Sequence, residues 1–527
     1  MPSKTRRFFL NGLTLTLSAL LMRGISMIFG VYVSNLAGSE AVGLYSLLGS
    51  VYAFSITLAT AGINLSTTRL VSDALGLGDK ARARITVKRA LRICLISGAF
   101  ASILLFFMAA PLGEHFLGDA RSVRPLRILS FTLTPIAVCA CLSGYFNAVR
   151  RVKVNAAFQV ASQLIKILFT VYLLSRLLNK DAEQACIALV LGGAGSELVS
   201  LILSYALYLF DRKKLDGGKT GSFDDGIAKK LLQISLPVTA SACIRSALSM
   251  LQHVLIPKGL KASGKSWSAS LSSYGALHGM AMPLILFPSA IVASFAGLLI
   301  PEVSECCVRN DTLRLRRVAF RTLSLSLFFS IGVSGIMMFY SSPLGLSIYN
   351  SGDTAEYIKI MAPLIPVMYI DSAVDAILKG SGHQVYSMNV NIADTLTACV
   401  LAITLIPRMG IWGYVISIYA TEILNTALSL VKMISVTGMR PRIFHQVIMP
   451  IVCIIGATNA SWLILKLFDV SMSGGISLGL HICLTLAVYV ALLFITKTVG
   501  YEEGEFLTAA LLSEKKYSKI TNNPAGN

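Results

Sequence analysis

The chain has 527 residues, 55% of them hydrophobic and only 14% charged, with a formal net charge of +20. Soluble chains carry about 25% charge, so a soluble fold is excluded. A nucleic-acid role for the basic excess is excluded with it, because no extramembrane domain exists to carry one.

What remains is an all-α polytopic membrane protein, since a helix satisfies its own backbone in lipid. Crossing a bilayer takes about 20 apolar residues. Runs of that kind predict 14 spans, at about 8–35, 44–70, 93–110, 127–148, 155–178, 185–210, 231–257, 272–300, 318–340, 358–378, 388–407, 411–435, 447–468 and 476–497. The first follows Lys4, Arg6 and Arg7 but is too long for a signal-peptide core, so it reads as an uncleaved span.

An even number of spans puts both termini on one side. Lys80, Arg82, Arg84, Lys88, Arg89 and Arg92 fall on that side. So do Arg150, Arg151, Lys153, Arg309, Arg314, Arg316 and Arg317. By the positive-inside rule it is the cytoplasmic face of a cell membrane, and the same residues meet anionic headgroups there.

The longest internal hydrophilic stretch, about 211–230, holds Gly217, Gly218 and Gly221 and reads as a linker. It divides the chain into an N-terminal six-helix bundle, 1–210, and a C-terminal one, 231–435. Two further spans at 436–497 read as an appendage, and 498–527 as a cytoplasmic tail. Tyr45 and Tyr274, each opening a span, and a similar spacing of Phe146-Asn147…Gln159 and Leu378-Lys379…Asn391 make the bundles weak parallel pseudo-repeats. Repeats of this kind hold substrate between them in transporters. The ten cysteines form no framework; Cys139 and Cys141 point to nearly opposite helix faces, against a shared metal.

Several motifs run in a recognisable order. They begin with Phe9-Leu10-Asn11-Gly12, Arg23, Gly38-Ser39-Glu40-Ala41-Val42-Gly43-Leu44-Tyr45 and Ser143-Gly144-Tyr145-Phe146-Asn147. Leu236-Pro237-Val238-Thr239, Tyr274-Gly275…Gly279…Pro283-Leu284…Pro288 and Ile300-Pro301…Ser304-Glu305 follow. Ala362-Pro363, Ala376 and Gly410-Ile411-Trp412-Gly413 complete the set. From about residue 8 to 435 the chain resembles the stage V sporulation protein B branch of polysaccharide and lipid-linked oligosaccharide flippases. These belong to the multidrug/oligosaccharidyl-lipid/polysaccharide exporter superfamily, with the lipid II flippases. Phe29 and Gly30 stand where the family has a second arginine in the first span, and Ala242 where it often has one in the seventh, with Arg245 one turn on.

The resemblance implies a flippase that moves a polyprenyl-diphosphate-linked oligosaccharide, a peptidoglycan or other envelope precursor, to the outer leaflet by alternating access. A sporulation context comes from the resemblance alone. Arg23 and Arg245, each in mid-span, fit this. A guanidinium stays charged and costs at least ~2.5–3.5 kcal/mol at membrane depth, so it faces a cavity or a partner. Its planar fork suits phosphate oxygens; the competing reading is pairing with Glu197, Asp371 or Asp394. Arg69, near a span end, reads as snorkelling to the interface.

Gln159, Gln163 and Lys166 share a helix face that reads as cavity lining or an interhelical seam. Asp371 and Asp375 share another, and Asp394 with Asn391 and Thr395 offers hard oxygen ligands. These carboxylates read either as a coupling Na+ or H+ site, with Glu422 as a further member, or as groups paired with a basic side chain or, for Asp375, exposed near the cytoplasmic end; no other cofactor is expected. Gly275, Gly279, Pro283 and Pro288 would permit bending of the eighth span. His253 and His278 read as isolated, hydrogen-bonded residues. No HExxH, Walker or Ser/His/Asp pattern points to an enzyme. A monomer without nucleic-acid partners is expected, alongside membrane lipids and the lipid-linked substrate. A cation-coupled multidrug exporter of the same superfamily and, further off, a membrane glycosyltransferase are the alternatives.

Overall fold

A computed structural model describes residues 2–60, 62–149, 151–177, 181–212, 226–467, 475–496 and 498. Most of the linker expected at 211–230 (residues 213–225) and nearly all of the tail expected at 498–527 lie outside the described residues. Nineteen α-helices, joined by short π and 3-10 turns, make up the described chain, and no strand occurs among its residues. Twelve helices are long and apolar enough to cross a membrane, or 13 if one bent pair counts as a span. Fourteen were expected. The difference lies at 21–76, one helical run of 56 residues where the sequence divides two spans.

That run begins in α1 (Pro2–Thr60), whose 59 residues would measure about 88 Å if straight, far beyond a ~30 Å hydrocarbon core. Gly38 breaks it, with φ 80° and ψ 169°, a conformation open to glycine alone. A second break at Gly62, φ 74°, opens α2 (Ile63–Gly76). There a Cβ would lie 2.5 Å from the Ser235 carbonyl oxygen, so only glycine admits the crossing with α8 (Ile227–Ala262). Between them, α3 (Lys80–Pro111) starts where the Asp79 carboxylate accepts the Arg82 amide at 2.8 Å.

The chain packs as two units, and they do not follow the sequence order. The first comprises residues 1–283 and 395–417. It holds α1–α3, α4 (Val123–Ser130), α5 (Leu133–Ala148), α6 (Val152–Leu177), α7 (Ala182–Arg212), α8 and α9 (Trp267–Tyr274). One of its cores gathers Val71, Val87, Leu142, Tyr145, Phe146 and Tyr208. Residues 231–283, which the linker would assign to the second bundle, pack here. So do residues 395–417: Cys399 Sγ meets the Leu248 carbonyl at 3.8 Å, and a Cβ on Gly259 would press on Ile406.

The second unit comprises residues 284–394 and 418–527. It contains α10 (Met282–Leu286, in part), α11 (Ser289–Val308), α12 (Thr312–Phe339), α13 (Ser341–Tyr349), α14 (Gly352–Met361) and α15 (Ile365–Gly380). Parts of α16 (Gln384–Met409) and α17 (Ile411–Thr437) join α18 (Met449–Leu467) and α19 (Gly475–Ile495) in it. The last two are no appendage. Tyr489 donates to the Phe328 carbonyl at 2.7 Å, Gln446 to the Ser324 hydroxyl at 2.8 Å, and Tyr340 shares a hydrogen bond with Thr485 at 2.9 Å. Buried hydrogen bonds bind helices where lipid removes the hydrophobic drive.

The span expected at 358–378 is broken at its prolines. Pro366 cannot donate to the Ala362 carbonyl, which takes the Ile365 amide in a 3-10 turn and the Ser334 hydroxyl at 2.7 Å. The span expected at 272–300 is a chain of segments: α9, a π-helix at Gly275–Ala281, α10, then α11 after Pro288.

Candidate functional site

In the first unit α1, α6 and α8 carry the cations singled out by the sequence. Arg23 stands one turn before Ser26, whose hydroxyl accepts from Gln163 Nε2 at 3.0 Å. Gln159 and Lys166 flank Gln163 on the same face of α6, so the polar face of α6 meets the Arg23 face of α1. Arg245 on α8 adjoins Ser246, which takes a hydrogen bond from Thr57 of α1 at 3.3 Å. Arg23 and Arg245 are both exposed, and among the described residues neither makes an ion pair. Glu197 lies instead within electrostatic range of Lys166. A guanidinium at span depth is costly unless it faces a cavity or a partner.

Gly275 and Gly279 act by proximity. The π-helix lies so tightly on α1 that a Cβ on Gly275 would run into the Ser39 carbonyl, and one on Gly279 into Val42. Pro283 and Pro288 follow, the second at the break into α11. His278 sits in that π-helix and is not isolated. Its ring lies 4.5 Å from His253 and stacks on Tyr274 at 5.2 Å, while the Tyr274 hydroxyl bonds His253 Nδ1 at 3.1 Å.

In the second unit the carboxylates sort themselves. Asp375 pairs with Lys379 on its own helix and accepts from the Ser387 hydroxyl, so it is neutralised in place. Asp371 lies within electrostatic range of Asp375 and Asp394, and Glu422 within range of Asp394 and Asp371. Three acids from α15, α16 and α17 thus share one neighbourhood. Among the described residues the Asp394 Oδ1 atom there, and Asn425 Oδ1 on α17, are buried without a hydrogen-bond partner, oxygens of the kind a small cation would satisfy. Asn391 is tied by Nδ2 to the Ser387 carbonyl at 2.8 Å. Among the described residues no group of three His, Cys, Asp or Glu is close enough to hold a metal ion.

Sequence reading missed a network at one end of the first unit. Asp119, 6% exposed, accepts from Arg121 Nε at 3.0 Å and from Trp267 Nε1 at 2.8 Å. Arg121 also reaches Glu40 at 3.0 Å, just past the Gly38 break. Burial pushes the Asp119 carboxyl up, but the hydrogen bonds from Arg121 and Trp267 outweigh it and hold the carboxyl below its ordinary value. The signal was an Asp-x-Arg pair in a short loop beside a glycine, too common to single out.

Two helical units with charged side chains kept at span depth define a membrane transporter. The comparisons with known proteins agree on the class and sharpen it. The chain belongs to the polysaccharide biosynthesis protein family, which matches residues 9–306, and the MatE family matches residues 265–404. It is 24% identical over 509 residues to stage V sporulation protein B of Bacillus subtilis (strain 168), covering 94% of this chain and 97% of the relative. To lipid II flippase MurJ of the same organism it is 21% identical, over 76% of this chain and 78% of that one. Among solved structures, lipid II flippase MurJ in an inward closed conformation superposes with a TM-score of 0.68 at 13% identity, covering 92% of this chain and 99% of that one. A multidrug resistance MATE family transporter of the MOP superfamily, inward-facing, gives 0.62 at 15% identity, covering 81% and 99%.

Proposed function

We propose that this protein is a flippase that carries a polyprenyl-diphosphate-linked oligosaccharide, a peptidoglycan or other envelope precursor, from the cytoplasmic to the outer leaflet. The observation that carries the reading is the set of cations on α1, α6 and α8, with Gln163 bonded to Ser26 and neither arginine ion-paired among the described residues. Arg23 and Arg245 hold the diphosphate, Lys166, Gln159 and Gln163 line its path, and the polyprenyl tail stays in lipid. The names of the relatives, a lipid II flippase among them, support the same substrate class.

The lysine- and arginine-rich loops face the cytoplasm, as do both termini, by the positive-inside rule. One chain carries both units, so the cycle is assigned to a monomer. Gly275, Gly279, Pro283 and Pro288 are its hinge. The orphaned oxygens of Asp394 and Asn425 support a coupling Na+ or H+ taken by Asp394 with Asp371, Glu422 and Asn391, while Asp375 is held by Lys379. That acid cluster also suits a cation-coupled multidrug exporter, which would not need the arginines.

The test is translocation of a fluorescent polyprenyl-diphosphate-linked sugar in proteoliposomes. Each arginine lost removes charge-assisted hydrogen bonds, so Arg23→Ala and Arg245→Ala are each expected to slow transport on the order of tenfold or more. Undiminished transport in both folded, inserted variants would sink the arginine clamp. Export of organic cations in place of the lipid would establish the exporter instead.

A further inference from the structure

Arg69 does not simply reach for the interface. It lines a cavity of about 300 Å³ together with Asp73 of α2, Arg82 and Thr86 of α3, and Lys230 and Gln233 of α8. The volume is at the lower end for ligand sites and fits a small headgroup better than a drug-sized molecule.

The cavity has a structural origin. α2 and α8 cross in contact at Gly62 and Ser235, and the cleft lies beside that crossing, at the C-terminal end of α2 and the N-terminal end of α8. The N-terminal turn of α3 closes its third side. Two helix N-termini therefore border it, that of α3 already capped by the Asp79 carboxylate, which accepts the Arg82 amide at 2.8 Å. α8 opens at Gly226, in the left-handed conformation with φ 88°. Among the described residues Arg69, Arg82 and Lys230 make no side-chain ion pair, although Asp73 lines the same cleft. Among the described residues lining the cleft, three cations stand against one carboxylate, a net positive concavity of the kind that draws anions.

We propose that this cleft binds the phosphate of a lipid headgroup, as a docking site separate from Arg23 and Arg245. The separation follows from α8 itself. Lys230 and Arg245 lie on one helix about 22 Å apart along its axis. On the orientation proposed above the cleft opens at the cytoplasmic face, where a phosphorylated lipid first meets the protein. In this respect the inference rests on the flippase reading. A diphosphate fits the three cations best, since Arg69 and Arg82 can each fork onto phosphate oxygens while Lys230 adds a point charge.

The test uses full-length protein carrying Arg23→Gln and Arg245→Gln in phosphatidylcholine nanodiscs, so that binding at span depth is removed and transport is not the readout. Inorganic pyrophosphate is titrated calorimetrically. Adding Arg69→Gln and Arg82→Gln is expected to weaken binding on the order of tenfold or more. Asp73→Asn is expected to tighten it about threefold, by removing the one opposing charge. Unchanged affinity in the Arg69→Gln/Arg82→Gln protein overturns the site. Nanodiscs containing a polyprenyl diphosphate or phosphatidylglycerol then separate the sources. Displacement of pyrophosphate by the first makes the ligand the transported lipid, and by the second makes it a bulk anionic phospholipid; both uphold a lipid phosphate. Displacement by neither overturns it. A flippase reading that fails in proteoliposomes leaves this binding result standing, and the reverse holds too.

Discussion

Asp119 and Asp375 show how one residue type takes different parts according to what surrounds it. Asp375 is matched by Lys379 and Ser387, whereas Asp394 keeps an oxygen with no hydrogen-bond partner among the described residues. Asp119 is held by Arg121 and Trp267 and gains from being charged. Its folded pKa lies below the ordinary value of about 4. Its contribution to stability is therefore complete above that value and is lost as the pH falls through the folded pKa. Asp119→Asn is expected to lower thermal stability at neutral pH and to flatten the acid limb of the stability curve below about pH 4. Unfolding temperatures from pH 3 to 7 in detergent check this, and parallel curves for both proteins would contradict it. Pairing of Asp375 with a basic side chain was one reading of the sequence, but its bond from Ser387 and the pairing of Asp119 were not legible there. Asp375 and Lys379 share a helix face by spacing, but Ser387 arrives from another helix, and Asp119 meets Trp267 across 148 positions of chain.

Among the elements, the crossing of α1 with α9 and its π-helix sets the geometry of the first unit. A Cβ on Gly43 would meet the Leu271 carbonyl well inside contact distance, whereas one on Gly49, later in the same helix, would meet nothing within 4 Å. Gly43→Ala is expected to cost about 1–3 kcal/mol or more through overpacking. Gly49→Ala should be neutral or stabilising by up to about 1 kcal/mol, from helix propensity. Equal melting temperatures for the two variants would contradict the close crossing. Apolar run length made nearly every span visible, and Pro363 and Pro366 marked the break before α15. The π-helix carried no such mark, because a glycine in an apolar run is as often a packing residue as a break, whereas the Gly38 break falls in the gap expected between the first two spans.

For the whole molecule, the question is what drives a diphosphate outward. Moving one elementary charge across 100 mV is worth ~2.3 kcal/mol, so a negative-inside potential alone favours export. A cation taken up at the proposed Asp394 site would add a second drive. Transport is expected to rise with an imposed negative-inside potential in both wild type and Asp394→Asn. Any added stimulation by a Na+ or proton gradient should disappear in Asp394→Asn alone. A gradient effect that survives the substitution removes Asp394 from the coupling site.

The sequence by itself determined the all-helical membrane class, the positions of the apolar runs, the charge asymmetry of the loops and the family. Each of these follows from local composition or from residues in order along the chain, because a membrane helix closes its hydrogen bonds within its own segment. The tertiary structure decided the rest. It set residues 231–283 and 395–417 with the N-terminal helices and brought Gln163 of α6 to Ser26 of α1. It also gathered Arg69, Arg82 and Lys230 around one cleft. Those outcomes depend on which glycines allow backbones to touch and which helix faces then meet, and interactions between segments far apart in the chain leave no local pattern to read.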